Sequence, residues 1–513
     1  MTSILVYITY AIVVICAGTM GSTKVFQRLQ ECLLWIRQVV CSFNYLFNGA
    51  DVIESGYVKA KGKPFIIDTP GRKHHMISIK SLMNELNKVP VDVFSLHGVA
   101  KDFLQPKDTM HGFEWSNIRG VEGTGFVRAL RHILTSKLPD IYPTLCSHIS
   151  HELRTELLNH ETSPGSYQIS LYDTAKSLVA KTNCLVFFGP RLASDQAFLA
   201  AAATFPHESA LAAEIIRFMP SAFSRWVARK ATKNYRAATS FRAQLYDEVS
   251  QRMAHFRNGT SKHAGSSCND GLQWLVETSL ANQEWDVDRM VGEVMGIWYG
   301  SVHTLSIAVT YALSDLYTRP EYIDDLRREL ASTPLATLHA KPEDLPCLDA
   351  FLKESARLSA FESTSVRRQA LKPYVFQSGL RVDTGDWVCV PTRSVMRDPD
   401  RFPEPMKFDP YRHRSTASAD DTGASTRQRY FVDSNKEGDG TLIWGLSRIS
   451  CPGRFYAALV MKLVVATFVE DYECELPQPC AKRSYQWRSS IIPRRNVFLH
   501  VRDRSNLSST SSI

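Results

Sequence analysis

The chain alternates between long apolar runs with helical spacing and short apolar runs beside turns. Residues 4–21 are almost entirely apolar and are long enough to cross a bilayer with little tilt. No Lys or Arg precedes this segment, whereas Lys24, Arg28 and Arg37 follow it. Positive charge on the C-terminal side predicts an uncleaved membrane anchor over residues 1–22, with the remaining chain in the cytoplasm. A cleaved signal peptide is the alternative, but its basic n-region is missing.

After this segment the pattern predicts helices and strands in succession. Residues 23–55 are expected to form a linker with an amphipathic surface segment, because the apolar stretch Cys32–Phe47 is interrupted by polar residues. Helical periodicity covers most of 142–260 and predicts one long helix from about Asp288 to Tyr317. Strands are predicted within 57–79, around a turn at Thr69-Pro70-Gly71, and at Tyr374–Gln377, Arg381–Val382, Trp387–Pro391 and Trp487–Val501.

Two segments lack any period. Residues 414–440 are rich in Ser, Asp and Gly and predict a surface loop, and the Ser-rich end from 503 to 513 predicts a disordered tail. Residues 215–227 mix apolar residues with Arg217 and Arg225. This stretch is either a membrane-touching patch near a substrate entrance or ordinary core and surface.

Length, charge and cysteine usage narrow the class of protein. A chain of 513 residues suggests two to four domains, but no low-complexity linker divides residues 56–500, so one large domain is also possible. The net charge of +8 is mild, and without interleaved basic and aromatic residues it argues against nucleic-acid binding. The eleven cysteines form no CxxC pair, which argues against a disulfide framework or a zinc site.

The stretch from Trp444 to Arg454 carries the strongest chemical signal. Cys451 is followed by Pro452 and Gly453 and then by an apolar helical run. The turn fixes the direction of the sulfur, and the helix behind it favours a thiolate through its dipole. Such a thiolate suits a single axial bond to haem iron. The alternative is a buried structural cysteine in front of a helix.

Trp444, Gly445, Cys451, Gly453 and Arg454 together resemble the signature of the haem-thiolate monooxygenases, the cytochrome P450 family. The sequence departs from that signature in two places. Ser447 stands where the family usually has a second glycine, and Ile449 stands where a basic residue usually meets a haem propionate. The neighbouring Arg448 is the candidate that supplies the missing charge.

The long helix contains Gly300-Ser301-Val302-His303-Thr304. The small residues predict a notch in the helix surface, and the Thr304 hydroxyl is expected to bond back to a carbonyl one turn earlier. In the resembled family this segment carries an acid before the threonine, and here His303 replaces it. The resemblance implies proton delivery to bound oxygen by Thr304, with His303 as a possible substitute, whereas the alternative for both residues is helix packing.

Further motifs occur in the order that the family shows. Glu354 and Arg357 share one helix face, and the resemblance implies a buried structural pair completed by Arg412. It also implies that Arg131 and Arg368 contact the haem propionates. The alternative for Arg131, and for the Glu354–Arg357 pair, is a solvated helix surface.

The resemblance implies a mainly helical fold with small sheets, a cytochrome P450 fold in which residues 56–502 form a single catalytic domain behind the N-terminal transmembrane helix. The expected cofactor is haem b with an axial cysteine thiolate. The expected partners are NADPH–cytochrome P450 reductase, an apolar small-molecule substrate and membrane lipid, with no nucleic acid. The expected location is the endoplasmic reticulum membrane, single-pass, with the catalytic domain cytoplasmic.

The expected reaction is oxidation of an apolar small molecule by O2, such as a terpenoid, polyketide or indole intermediate of secondary metabolism. Two alternatives remain. One is a haem-dependent isomerase or dehydratase of the same fold, which the replacement of the acid by His303 motivates. The other is a non-catalytic haem-binding protein.

Overall fold

A computed structural model describes residues 22–110, 127, 129–217, 221–258, 269–280, 285–413, 430–434, 441–447, 450–477 and 482–505. Several predicted features lie outside these residues: nearly all of the anchor at 1–22, Arg448, most of the 414–440 loop, and the tail from 506 onward.

The first described helix, α1, spans Ser22–Ala60 and has non-helical backbone angles at Asn48. Beyond this point Ala50 and Ile53 are buried, and Ile53 packs against the first strand pair, so the helix continues past position 55 into the body of the fold. Before it, Val40 and Phe43 are exposed, as an amphipathic segment requires. Within the part of the chain that the structure describes, no helix is both long and apolar enough to cross a membrane.

Helices make up most of the described chain, and their order follows the predicted periodicity. The helices after α1 are α2 (Lys80–Lys88), α3 (Leu96–Leu104), α4 (Pro106–Thr109), α5 (Thr135–Leu158), α6 (Leu171–Ala193), α7 (Gln196–Ile216), α8 (Ser221–Ala231), α9 (Arg236–Arg257), α10 (Gly271–Leu280), α11 (Val287–Tyr317), α12 (Ile323–Ser332), α13 (Pro346–Leu358), α14 (Thr392–Val395) and α15 (Arg454–Asp471). Short 3-10 turns occur at Pro320–Tyr322, Leu335–Thr337, Pro410–His413 and Phe431–Asp433.

The strands form small sheets at the edge of the helical body. They are β1 (Phe65–Thr69), β2 (Arg72–Met76), β3 (Phe94–Ser95), β4 (Glu161–Ser163), β5 (Ser166–Ser170), β6 (Ser365–Ala370), β7 (Tyr374–Val375), β8 (Arg381–Val382), β9 (Trp387–Val390), β10 (Tyr472–Glu475), β11 (Ser484–Trp487), β12 (Ser490–Pro493) and β13 (Phe498–Asp503). The largest sheet has the order β1-β2-β9-β6-β3, and a second has the order β10-β13-β5-β4. The pairs β11-β12 and β7-β8 stand alone. Gly71, in the β1–β2 turn, has a φ of 86°, which only glycine adopts readily.

Two segments differ from the expected pattern. A hairpin, β4 and β5, interrupts the predicted helical stretch 142–260, since Gly165 turns the chain with a φ of 71° and β5 pairs with the distant strand β13. In addition, residues Ala129–Leu134 form a π-helix that leads directly into α5. Single π-helical turns are often found at functional sites.

Helix α11 forms the centre of the molecule and closely follows the predicted bounds of Asp288 to Tyr317. The Asp286 side chain caps its first turn by accepting a hydrogen bond from the Arg289 N–H at 2.7 Å. Trp298 is almost completely buried on the side that faces α7, and its Nε1 donates to the Ala202 carbonyl at 2.8 Å. The opposite side of α11 faces the cysteine loop, and the candidate site lies there.

Candidate active site

The loop that carries Cys451 is held by hydrogen bonds on both sides of the sulfur. The Cys451 N–H donates to the Trp444 carbonyl at 2.8 Å, and Trp444 Nε1 donates to the Phe431 carbonyl at 2.9 Å. Gly445 has a φ of 85°, and Ser447 has a φ of 50°. Ser447 therefore adopts the left-handed conformation that glycine favours, at the place where the signature usually has glycine. A serine is accommodated there without loss of the bend.

The Cys451 thiol faces a cavity directly in front of α15. Burial raises the pKa of this thiol, while the Gly453 N–H and the positive charges of Arg454 and Arg131 act in the opposite direction. These three groups stabilise the thiolate, but their effect is smaller than that of burial, so the pKa of the thiol stays raised. A metal ion bound to the sulfur would remove that proton.

The cavity between α11 and the cysteine loop has a volume of about 580 Å³. Its walls are mostly apolar and include Leu305, Ala308, Ile443 and Phe431. This volume lies within the usual range for small-molecule and cofactor sites. Among the predicted site residues, Thr304, Trp444, Cys451 and Gly453 line this one space. One thiol at the wall of an apolar cavity of this size fits haem.

The α11 wall carries the predicted notch and hydroxyl. A Cβ atom built on Gly300 would meet no atom within 4 Å, so the helix surface opens there. Thr304 Oγ1 donates to the Gly300 carbonyl at 2.7 Å, which confirms the predicted hydrogen bond one turn back. Thr304 lines the cavity. A hydroxyl thus faces the cavity on the α11 side, in the same space as Cys451.

His303 does not line the cavity. Its ring makes an edge contact with Tyr299, with 5.9 Å between the ring centres. Burial lowers its pKa to about 4, and the positive charges of Lys176 and His207 act in the same direction. The imidazole is therefore neutral at neutral pH. An imidazole exposed to water has a pKa of about 6.5.

The two predicted propionate contacts occupy different elements. Arg131 lies on the π-helix, and its Nη2 donates to the Ser450 carbonyl at 3.3 Å, one residue before the cysteine. Arg368 lies on β6 opposite Val388 and is almost fully buried. Its Nη1 donates to the Arg367 carbonyl at 2.6 Å. Arg131 therefore adjoins the sulfur, whereas Arg368 belongs to the sheet.

Glu354 and Arg357 form a fully buried ion pair at the end of α13. Both side chains are 0% exposed, and two hydrogen bonds of 2.7 and 2.8 Å join them. Arg412 Nε lies 3.2 Å from Glu354, although the hydrogen bonds of Arg412 go to carbonyl oxygens such as that of Pro403. Burial alone would raise the pKa of Glu354, but hydrogen bonds from Arg357 and His413 outweigh it and lower the pKa to about 2.

His413 is a member of this network that sequence reasoning missed. Its Nε2 lies 2.8 Å from Glu354 Oε2. The adjacent Arg412 also fits the family pattern, so the sequence alone did not single out His413. His97, Asn183 and Glu293 line the cavity and were also missed. None of them belongs to a motif, and only the packing of α3, α6 and α11 brings them to one space.

The sequence model of the family described as "Cytochrome P450" matches residues 125–501 of this chain. This chain belongs to the cytochrome P450 family. Cytochrome P450 monooxygenase 103 of Postia placenta is 25% identical over 459 residues, which are 88% of each chain. Cytochrome P450 monooxygenase paxP of Penicillium paxilli is 25% identical and covers 86% of this chain and 82% of its own. An ent-kaurene oxidase of Gibberella intermedia is 24% identical, covering 90% and 85%.

Solved cytochrome P450 structures have the same fold. A cyanobacterial CYP120A1 bound to retinoic acid superposes with a TM-score of 0.66 at 17% identity, covering 90% of this chain and 96% of its own. These matches confirm the predicted family and a mainly helical, single-domain P450 fold with small sheets. The chain is thus an oxidoreductase of the P450 monooxygenase type, a family that binds haem b through a cysteine thiolate.

Proposed function

We propose that this P450 binds haem b through Cys451 and uses O2 to oxidise an apolar small molecule while attached to the endoplasmic reticulum membrane. The observation that carries the proposal is that Cys451 and the Thr304 hydroxyl line the same, largely apolar cavity. The two electrons are proposed to come from NADPH–cytochrome P450 reductase. When bound, haem supplies the activation of dioxygen.

The residues around the cavity have separate tasks in this proposal. Cys451 would provide the thiolate ligand to haem, and the Gly453 N–H and the charge of Arg454 would stabilise its negative charge. Arg131 and Arg368 would balance the haem propionates, and Arg448 is a further candidate outside the described residues. Trp444 and Gly445 shape the bend that directs the sulfur toward the cavity.

Thr304 is proposed to hold a water molecule on the α11 side and to pass protons from it. Thr304 lines the cavity, and its hydroxyl donates a hydrogen bond to the Gly300 carbonyl at 2.7 Å. His303 is a weaker candidate for this task, because it does not line the cavity and its pKa of about 4 keeps it neutral. The geometry favours packing against Tyr299 as its role.

The substrate is proposed to be an apolar intermediate of secondary metabolism, of terpenoid, polyketide or indole type. Two observations support this class. The cavity wall is mostly apolar. One relative is named for oxidation of ent-kaurene.

Membrane attachment has support beyond the N-terminal segment. Helix α8 exposes Phe223 and Trp226, which are 58% and 63% exposed, and carries Arg225, Arg229 and Lys230 without any acid. Exposed aromatic residues beside basic residues are typical of a helix that lies on a membrane surface. Phe43 of α1 is exposed as well. We propose that α8 and α1 rest on the lipid surface.

The experiment that tests the function supplies the purified full chain with reductase, O2 and a panel of apolar intermediates. A monooxygenase forms product only with NADPH and in proportion to its consumption.

A haem-dependent isomerase or dehydratase is the second candidate, favoured by the missing acid before Thr304 and by the position of His303 outside the cavity. Product that forms equally well without NADPH would establish that second candidate instead.

A further inference from the structure

A buried ion pair lies behind the cysteine loop and has no part in the mechanism above. Lys462 Nζ of α15 lies 2.8 Å from Asp349 Oδ1 of α13, and both side chains are only 5% exposed. Lys462 directs hydrogen bonds to the carbonyl oxygens of Pro342 and Asp344, at 2.9 and 2.7 Å. Lys462 Nζ is therefore held by three oxygen atoms. Buried ion pairs seldom stabilise a fold more than apolar residues would, so this pair calls for another explanation.

The other oxygen of Asp349 reaches the cysteine loop through one short turn. Asp349 Oδ2 accepts a hydrogen bond from the Phe431 N–H at 2.7 Å, in the first residue of the Phe431–Asp433 turn. The Phe431 carbonyl in turn accepts from Trp444 Nε1 at 2.9 Å. The Val432 carbonyl accepts from Arg454 Nε at 3.2 Å. The turn therefore holds the loop both before and after the sulfur.

These hydrogen bonds form a closed ring of contacts that includes Cys451. The Trp444 carbonyl accepts the Cys451 N–H at 2.8 Å, and Arg454 Nη1 donates to the Cys451 carbonyl at 3.2 Å. Helix α15 begins at Arg454 and carries Lys462 two turns further along. Lys462 then returns to Asp349. A displacement of the Asp349 carboxylate would thus move the turn, the indole and the sulfur together.

We propose that Asp349, oriented by Lys462, is a positioning residue that sets the position of the Cys451 sulfur, which would bind the haem iron. The inference rests on the proposed function, in which Cys451 is the axial ligand. Asp349 does not touch the ligand itself and acts through the Phe431–Asp433 turn and Trp444. Asp349 binds Lys462 with one carboxylate oxygen and the Phe431 N–H with the other. The contact with Phe431 explains why a carboxylate stands at this buried position.

The test compares four variants of the full-length protein by the carbon monoxide spectrum of the reduced form. Asp349→Leu removes the acceptor for the Phe431 N–H, whereas Asp349→Asn keeps an oxygen there. Asp270 provides a matched control, because it lies 2.5 Å from the buried Arg252 and accepts the Gln273 N–H at 3.0 Å. Asp270→Leu and Asp270→Asn should destabilise the fold without reaching the cysteine loop.

We expect Asp349→Leu to shift the ratio of the non-thiolate to the thiolate form about tenfold, as the loss of one buried hydrogen bond can do. Asp349→Asn should retain most of the thiolate band, and both Asp270 variants should keep it fully while their melting temperatures fall. A thiolate band in Asp349→Leu equal to that in Asp270→Leu would overturn the positioning role. Absence of the band in the unaltered protein would instead overturn the proposed ligand, and the inference with it.

Discussion

The two walls of the cavity are built in opposite ways. The wall of the cysteine loop is fixed by backbone hydrogen bonds on each side of Cys451, and the buried Glu354–Arg357 pair lies behind it. The α11 wall has an open glycine, Gly300, and mixes apolar side chains with polar ones such as Thr304 and Glu293. A metal ligand must be held at one point, whereas a substrate needs space. This difference is consistent with our proposal that the loop wall would hold the haem and the α11 wall would face the reacting oxygen and substrate.

Removal of Glu354 should have the largest effect on the wall of the cysteine loop. Glu354→Ala leaves Arg357 buried without its carboxylate, which typically costs about 3 to 5 kcal/mol. We expect a large fall in melting temperature and little haem-bound protein. Asp383→Ala serves as the control, because the Arg381–Asp383 pair is 70% and 65% exposed and should contribute almost nothing. A Glu354→Ala variant that folds, binds haem fully and loses only turnover would show that the pair is not structural.

Low pH should destabilise the fold through the same network of Glu354, Arg357 and His413. Glu354 has a pKa of about 2 in the folded chain, below its usual value, so its contribution is present above the unfolded pKa and lost as pH falls toward 2. The shift corresponds to about 3 kcal/mol at neutral pH. The free energy of unfolding, measured from pH 7 to 2, should therefore drop mainly below about pH 4.5. Glu354→Gln should weaken the dependence of the free energy of unfolding on pH below about 4.5. An unchanged dependence would mean that other carboxylates cause the loss of stability.

Thr304→Ala tests the α11 wall with a smaller effect on folding. Haem and substrate binding should remain, since Thr304 lines the cavity and its hydroxyl bonds to the Gly300 carbonyl of its own helix. The ratio of product to NADPH consumed should fall by roughly tenfold or more, with the remaining electrons going to peroxide. His303→Gln is the matched neighbour, and it should stay coupled because His303 does not line the cavity. Full coupling in Thr304→Ala would mean that protons arrive by another path.

The sequence predicted the loop wall better than the α11 wall. Cys451, Gly453 and the Glu354–Arg357 pair are recognisable because a bend and a buried ion pair each require particular residue types at fixed spacing. The direction of His303 could not be read in the same way, since adjacent helix positions point about 100° apart and only packing decides which one faces the cavity. Sequence spacing also could not find Asp349 and Lys462, which meet only because α13 and α15 pack together.

The most direct test of the central claim is the carbon monoxide spectrum of the reduced protein and of Cys451→His. The unaltered chain should show the band typical of thiolate ligation, because Cys451 lines the cavity in front of α15. Cys451→His should lose that band even where haem is retained. An identical thiolate band in the Cys451→His variant would contradict the assignment of Cys451 as the axial ligand.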